Sequence, residues 1–205
     1  RTTAPIATSV SVCVRLKYAM TAAGAVKFDN NLCIGCGRCI EACIKSHGGD
    51  ASKSARFGID DSAQFLNDLG HCDVIALVAP SAQGNFPLLK LVSALRLLGI
   101  KKVYDVSLGA EITVAAYHQA IADGKAQLPL IAQPCPAVVK YIELNHRRLI
   151  EHLAPVGSPV HNTAVYVRQN NPGARLAFIS PCLAKRREFR DSGVVDYNVI
   201  YQSLN

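Results

Sequence analysis

The sequence predicts an α/β fold: a parallel four-stranded sheet flanked by helices, preceded by a small cysteine-rich α+β module. Three observations carry this. From Asp73 onward, short continuous apolar runs alternate with helix-period segments, the pattern of strands covered on both faces. Each alternation supplies a strand, a crossover helix and a next strand, which is how parallel sheets are built. Up to about residue 60 the pattern is different: five of the eight cysteines fall there, among small residues with weak helical periodicity. Residues 1–60 are therefore expected to form one module and 61–205 another.

The elements follow in order. Val74-Ile75-Ala76-Leu77-Val78-Ala79 is an apolar run ended by Pro80-Ser81, read as a strand. Leu88, Leu91, Val92, Leu95 and Leu98 recur at helical spacing until Gly99 stops them. Lys102 to Val106 reads as a second strand, with a helix over about 110–122 ending before Gly124. Leu128 to Ala132 is expected as the third strand, followed by a helix from about Ala137 to Leu149. Ser158-Pro159 has the form of an N-cap followed by proline at the first helical position, opening a helix to about Gln169. Leu176 to Ile179 is the fourth expected strand.

Composition narrows the function classes. An apolar fraction of 50% is enough for a real core, which excludes wholesale disorder. No uncharged apolar run approaches the ~18 residues of a membrane span; Lys90 and Arg96 interrupt the most leucine-rich stretch. The net charge of +7 concentrates between residues 140 and 190, with nine Lys/Arg against three acidic residues. No aromatic residues interleave with these charges as a base-stacking platform would require, so no nucleic-acid partner is expected. Solvated helix faces account for them, and such a surface also suits an acidic electron-transfer partner. Arg1 stands where an initiator Met is expected, with no signal-peptide pattern near it, so the chain reads as a fragment of a cytoplasmic protein.

Cys33-Ile34-Gly35-Cys36-Gly37-Arg38-Cys39-Ile40-Glu41-Ala42-Cys43 is a C-x2-C-x2-C-x3-C run. Zinc sites usually use two separated knuckles around one small tetrahedral ion. Three thiolates at two-residue gaps instead wrap an iron–sulfur cube, with Gly35 and Gly37 letting the backbone curl close. The spacing favours a 4Fe-4S cluster held by Cys33, Cys36 and Cys39, and a disulfide framework is less expected in such a chain. The fourth ligand is Cys43 or Cys13. In two-cluster modules the last cysteine of such a run serves the other cluster, yet upstream only Cys13 is present, so no second cluster forms from these residues. Cys72 is expected to be structural.

In parallel sheets, ligands sit beyond the carboxyl ends of the strands. Those ends read Ala79-Pro80-Ser81, Asp105 to Ala110, Gln133-Pro134-Cys135-Pro136 and Ser180-Pro181-Cys182. A single cysteine in such a place is ordinarily a small buried hydrophobe. Two, each beside proline at equivalent strand ends, read as a shared site.

The motifs at these ends resemble the active-site signatures of the iron-iron (FeFe) hydrogenases. Gln133-Pro134-Cys135-Pro136-Ala137 with the following Val138 to Glu143, and Ser180-Pro181-Cys182-Leu183-Ala184-Lys185-Arg186-Arg187-Glu188, look like the first two. Asp105 to Glu111 and Leu153 to Pro159 fit the same family in the same order. The resemblance runs from about residue 28 to the end and is greatest to the branches of the family assigned to sensing. It implies a ferredoxin-like module (1–60) before the first lobe of the hydrogenase catalytic domain (61–205), cut before the second lobe. The family's H-cluster is a 4Fe-4S cube joined through a bridging cysteine to a two-iron centre carrying CO, cyanide and a dithiolate. By resemblance Cys135 and Cys182 are two of the cube's four ligands, Lys185 hydrogen-bonds a cyanide, Glu188 supports it, and Pro80 and Ser81 line the pocket. An exposed Lys185–Glu188 pair in a charged run would be worth little.

The departures bear on activity. The remaining two ligands belong to a later part of the family's chain, so this one is not expected to hold a complete H-cluster. Pro134 stands where fast members relay protons with Cys, Ala154 where they have Ser, and Ala115-Ala116 where they have Glu. Val160 and Ser180 replace a Gln and a Met near the two-iron centre. A positioned acid or base is worth ~10²–10⁴-fold in rate, so turnover should be slow. The expectation is reversible hydrogen oxidation and proton reduction, with a ferredoxin-type electron partner, slow and used for hydrogen or redox sensing through signalling modules in the full-length protein. A non-catalytic hydrogenase-like iron–sulfur assembly or electron-transfer protein is the alternative.

Overall fold

The structure is a computed structural model that describes residues 19–22, 25–29, 31–55 and 57–204. The chain divides into two compact units, Arg1–Ile59 and Asp60–Asn205.

In the first unit an antiparallel pair, β1 (Ala19–Ala22) and β2 (Ala25–Phe28), precedes helix α1 (Arg38–Ser46). The stretch His47 to Ser54, of loop composition, holds turns and one 3-10 turn, Ala51–Lys53, capped by the Asp50 side chain.

The second unit contains the parallel sheet. Its strands are β3 (Val74–Val78), β4 (Lys102–Asp105), β5 (Arg175–Ser180) and β6 (Tyr197–Ile200), in the order β4-β3-β5-β6 with every pairing parallel. The helices are α2 (Ser62–Asp68), α3 (Ala82–Asn85), α4 (Leu88–Leu97), α5 (Ser107–Ala122), α6 (Pro136–Asn145), α7 (Pro159–Asn170) and α8 (Lys185–Ser192). Alternate strand residues divide the core. Val74, Ala76, Val78, Ala177 and Ile179 pack with Phe65 of α2 and Leu91 and Leu95 of α4. Ile75, Leu77, Leu176 and Phe178 pack on the other face with Val160, Ala164 and Val167 of α7 and Phe189 of α8. Both faces are covered, which is why these strands are continuous apolar runs.

Two expectations are corrected. Leu128 to Ala132 is not a strand of the sheet: Ile131 makes only an isolated bridge to Leu153. Its proline, Pro129, lacks the N–H a ladder needs, and residues 128–130 pair with no strand. The fourth strand is Tyr197–Ile200, whose Asn198 and brevity obscure an otherwise apolar run. The helix expected to reach Leu149 ends at Asn145 and is continued by a 3-10 segment, Arg147–His152.

From β3 the chain crosses outward to β4, and from β5 it crosses the opposite way to β6. The order therefore reverses between β3 and β5, and right-handed crossovers that diverge put α4 and α8 on opposite faces. In such folds ligands bind at this reversal, here beyond Val78 and Ser180, whose strands are linked there by the Ala79 N–H donating to the Ile179 carbonyl at 3.0 Å.

Candidate functional site

Pro80 and Ser81 leave the end of β3, and Pro181 and Cys182 leave the end of β5, so the parallel pairing brings these residues to the same end of the sheet on neighbouring strands. Ser81 Oγ lies 2.9 Å from the Tyr201 hydroxyl, beyond the end of β6. Burial holds Tyr201 above the ordinary phenol pKa, against the opposing effect of the Ser81 hydrogen bond. The Cys182 turn is pinned on both sides: its N–H donates to Ser180 Oγ at 3.2 Å, and its carbonyl accepts from Asn198 Nδ2 at 3.1 Å.

One turn further on, α8 begins at Lys185. Its ammonium donates to Glu188 Oε2 at 2.6 Å and to Ser158 Oγ at 3.3 Å, while Ser158 donates to Glu188 Oε1. Ser158 is also the N-cap of α7, accepting from the His161 N–H. The pair is not an exposed one. The lysine side chain is only 9% exposed and that of the glutamate 19%. Spacing at i, i+3 on one helix brings the two together, and the α7 cap supplies the third member. Such a charge is kept in a dry place only by partners, and Lys185 has one of its three N–H donors left to offer.

Cys135 is not at a sheet strand end, which corrects the equivalence expected of the two cysteines. It is the N-cap of α6, with Pro136 at the first helical position where a missing N–H costs nothing. The approach to it is fixed by Gln133, which accepts from the Tyr117 hydroxyl at 2.7 Å and donates to the Val156 carbonyl. Pro136, Gln133, Ser158, His161, Glu188 and Asp191 wall one cavity of about 420 Å³, so the Cys135 helix and the Lys185 network meet across it. Sequence reasoning had Ser158 as a cap and within the Leu153 to Pro159 motif and Gln133 within the Gln133 to Ala137 motif, gave neither a contact, and passed over Asn198 and Tyr201. A polar residue inside an apolar strand was the one signal available, at Asn198.

In the first unit, Gly35 and Gly37 both take the left-handed conformation (φ 75° and 76°), which lets the Cys33–Cys39 loop curl. The Gly35 N–H points to Cys33 Sγ at 3.4 Å. Cys39 and Cys43 are one helical turn apart on α1, with Cys43 buried. Cys13 lies outside the described residues. No disulfide joins the seven described cysteines, and among the described residues no three Cys, His, Asp or Glu side chains converge as around a single ion. The thiol-only donor set, the glycine curl and the N–H to sulfur contact fit an iron–sulfur cluster rather than one ion. Cys72 donates from its thiol to the Asp68 carbonyl at 3.4 Å and packs against the core.

Among the described residues no helix is long and apolar enough to cross a membrane.

The second unit is a doubly wound lobe with Cys182 and a buried lysine at its switch point, preceded in the chain by a thiol-rich glycine loop whose donor set suits an iron–sulfur cluster. Residues 72–203 match the family described as iron only hydrogenase large subunit, C-terminal domain, and residues 25–48 match a 4Fe-4S binding domain. The chain belongs to the iron-only hydrogenase large-subunit family. Iron hydrogenase 1 of Clostridium pasteurianum is 27% identical over 196 residues, covering 71% of this chain and 34% of that protein. The chain thus spans about a third of the length of this curated relative.

Proposed function

We propose that the full-length protein carries out slow, reversible oxidation of hydrogen at an H-cluster and uses it to sense hydrogen or redox state. The observation behind this reading is the buried Lys185–Glu188–Ser158 network, three residues beyond Cys182. A 4Fe-4S cluster and a two-iron centre with CO and cyanide ligands, when bound, supply hydrogen activation and electron transfer. Cys135 and Cys182 would hold the cube of that group. Lys185 would offer its remaining N–H to an anionic cyanide, a charge-assisted bond that gains strength in a water-poor site. Glu188 and Ser158 hold the ammonium in place, and Pro80 and Ser81 would line the pocket. Cys33, Cys36 and Cys39, with Cys43 or Cys13, would hold the cluster through which an electron partner such as ferredoxin is served.

Slowness follows from the relay positions. Pro134 and Ala154 have no ionisable or hydroxyl group, and Ala154 is buried, so neither can move a proton. The alternative, a hydrogenase-like assembly or electron-transfer protein, has no need of a buried cation beside the Cys182 turn.

The test is anaerobic expression of the full-length gene with the two-iron centre supplied, reading infrared bands of CO and cyanide together with hydrogen turnover. Bands with poor turnover are expected. Absence of the bands would sink the reading.

A further inference from the structure

We propose that Asn198 is a positioning residue for Cys182, an inference that rests on reading Cys182 as a cluster ligand. Asn198 sits in the middle of β6, opposite Phe178 and on the sheet face covered by α8, and is 0% exposed. Its backbone is clamped by Asp61, whose Oδ2 accepts the Asn198 N–H at 3.1 Å and whose N–H donates to the Asn198 carbonyl at 2.9 Å. Asp61 in turn binds Arg186, on the first turn of α8, at 2.8 Å and 2.9 Å. From this rigid base, Asn198 Nδ2 reaches the Cys182 carbonyl at 3.1 Å.

The residue is a poor choice for stability. Asn is disfavoured in strands, and here its Oδ1 is buried without a hydrogen-bond partner. Turning the amide over would set its oxygen against the Cys182 carbonyl oxygen, so the donor orientation is the only one the neighbours allow. A local rule is therefore broken at the β6 position that touches the Cys182 turn, as occurs where function, not folding, sets the residue. With Ser180 Oγ on its N–H and Asn198 on its carbonyl, the Cys182 peptide is held from both sides. The amide thus restricts the directions in which the thiolate can be presented to iron.

The test compares the chain with Asn198→Val, and with Asn198→Thr as a second variant whose hydroxyl is one atom too short to reach. Alkylation by iodoacetamide is followed cysteine by cysteine, by mass spectrometry of peptides. Expected is a Cys182 rate raised about threefold to tenfold, the range one neutral hydrogen bond supports when local opening limits reaction. Cys135 should stay within about twofold of its original rate and the melting temperature should not fall. An unchanged Cys182 rate in a folded variant, or Cys135 and Cys182 rising together, would overturn the proposal. Loss of the fold in both variants would do the same, since Asn198 is assigned no share in stability. Anaerobic iron–sulfide reconstitution of the full-length protein tests the underlying reading separately. If Cys182 stays as reactive as before while Cys33, Cys36 and Cys39 become protected, Cys182 is no ligand, whatever the Asn198 contrast shows.

Discussion

Lys185 Nζ and Glu188 Oε2 lie 2.6 Å apart in a site where the lysine side chain is 9% exposed, with Ser158 Oγ bonded to both. Coulomb attraction across such a short, partly dry gap is large, but so is the cost of taking both charges out of water. The pair matters most for what its loss leaves behind.

Glu188→Ala strands the Lys185 ammonium. Breaking a fully buried pair costs ~3–5 kcal/mol, and the glutamate's residual exposure puts the expected loss at about 2–4 kcal/mol. Lys185→Met combined with Glu188→Gln should recover most of it. Urea denaturation of the single and double variants checks this; additive losses would deny the coupling.

A Cβ on Gly109 would lie 1.9 Å from the Pro159 carbonyl oxygen and 2.3 Å from Thr163 Oγ1. These are the residues where α5 crosses the first turn of α7, next to Ser158. Gly109→Ala should cost about 1–3 kcal/mol through displacement of α7. Gly84→Ala, where nothing lies within 4 Å, should be neutral or stabilising by up to ~1 kcal/mol. Thermal unfolding of the two separates the effects.

Tyr197 donates to Asp68 Oδ2 at 2.6 Å, and this hydrogen bond holds the Asp68 carboxyl below its ordinary range. Burial and the same partner push the Tyr197 phenol up. For the depressed carboxyl, stabilisation is present above about pH 4 and is lost as pH falls through its native pKa. For the raised phenol the native state keeps a proton that the unfolded chain releases, so stability falls as pH rises above about 10. Tyr197→Phe should flatten both limbs of the stability–pH curve measured by chemical denaturation.

Iron and sulfide analysis of the reconstituted chain should give about one 4Fe-4S cube in the first unit, and Cys36→Ala should abolish it. A zinc-only result would replace the cluster with a single-ion site.

Pro134→Cys puts an ionisable group back where the family's relay has one. Under the proposed function, hydrogen turnover of the loaded full-length protein should rise, by less than the ~10²–10⁴-fold of a complete relay because Ala154 is unchanged. An unchanged rate would show that proton supply at this position does not limit it.

Parts of the candidate site were legible in the sequence alone. Cys33, Cys36 and Cys39 are close in the chain, so their spacing alone carries the chemistry. Cys182, Lys185 and Glu188 are likewise local, and helical spacing was enough to pair the last two. The strands β3 and β5 were legible because burial on both faces leaves an apolar run, whereas the edge strand β4 was legible from Val103 and Tyr104 between charged, exposed ends. Leu128 to Ala132 is also apolar but makes only a bridge and leaves Leu128 exposed, since an apolar run with a proline in it fixes neither pairing nor burial. Strand β6 failed in the opposite way: Asn198 breaks the run, and it is there for the Cys182 turn.

By itself the sequence determined the fold class, the 4Fe-4S binding motif and the family, because each rests on short-range pattern: period, spacing and motif. Only the tertiary structure decided that Lys185 is buried and Glu188 half-buried rather than solvated, that Ser158 bridges them, and that Asn198 and Asp61 hold the Cys182 turn. These are contacts between elements as far apart in the chain as Asp61 and Asn198. Burial depends on which helix face covers which strand, and no local pattern encodes that. The strand order β4-β3-β5-β6 does, because it sets the ends of β3 and β5 side by side and so brings Pro80, Ser81 and Cys182 to the same end of the sheet.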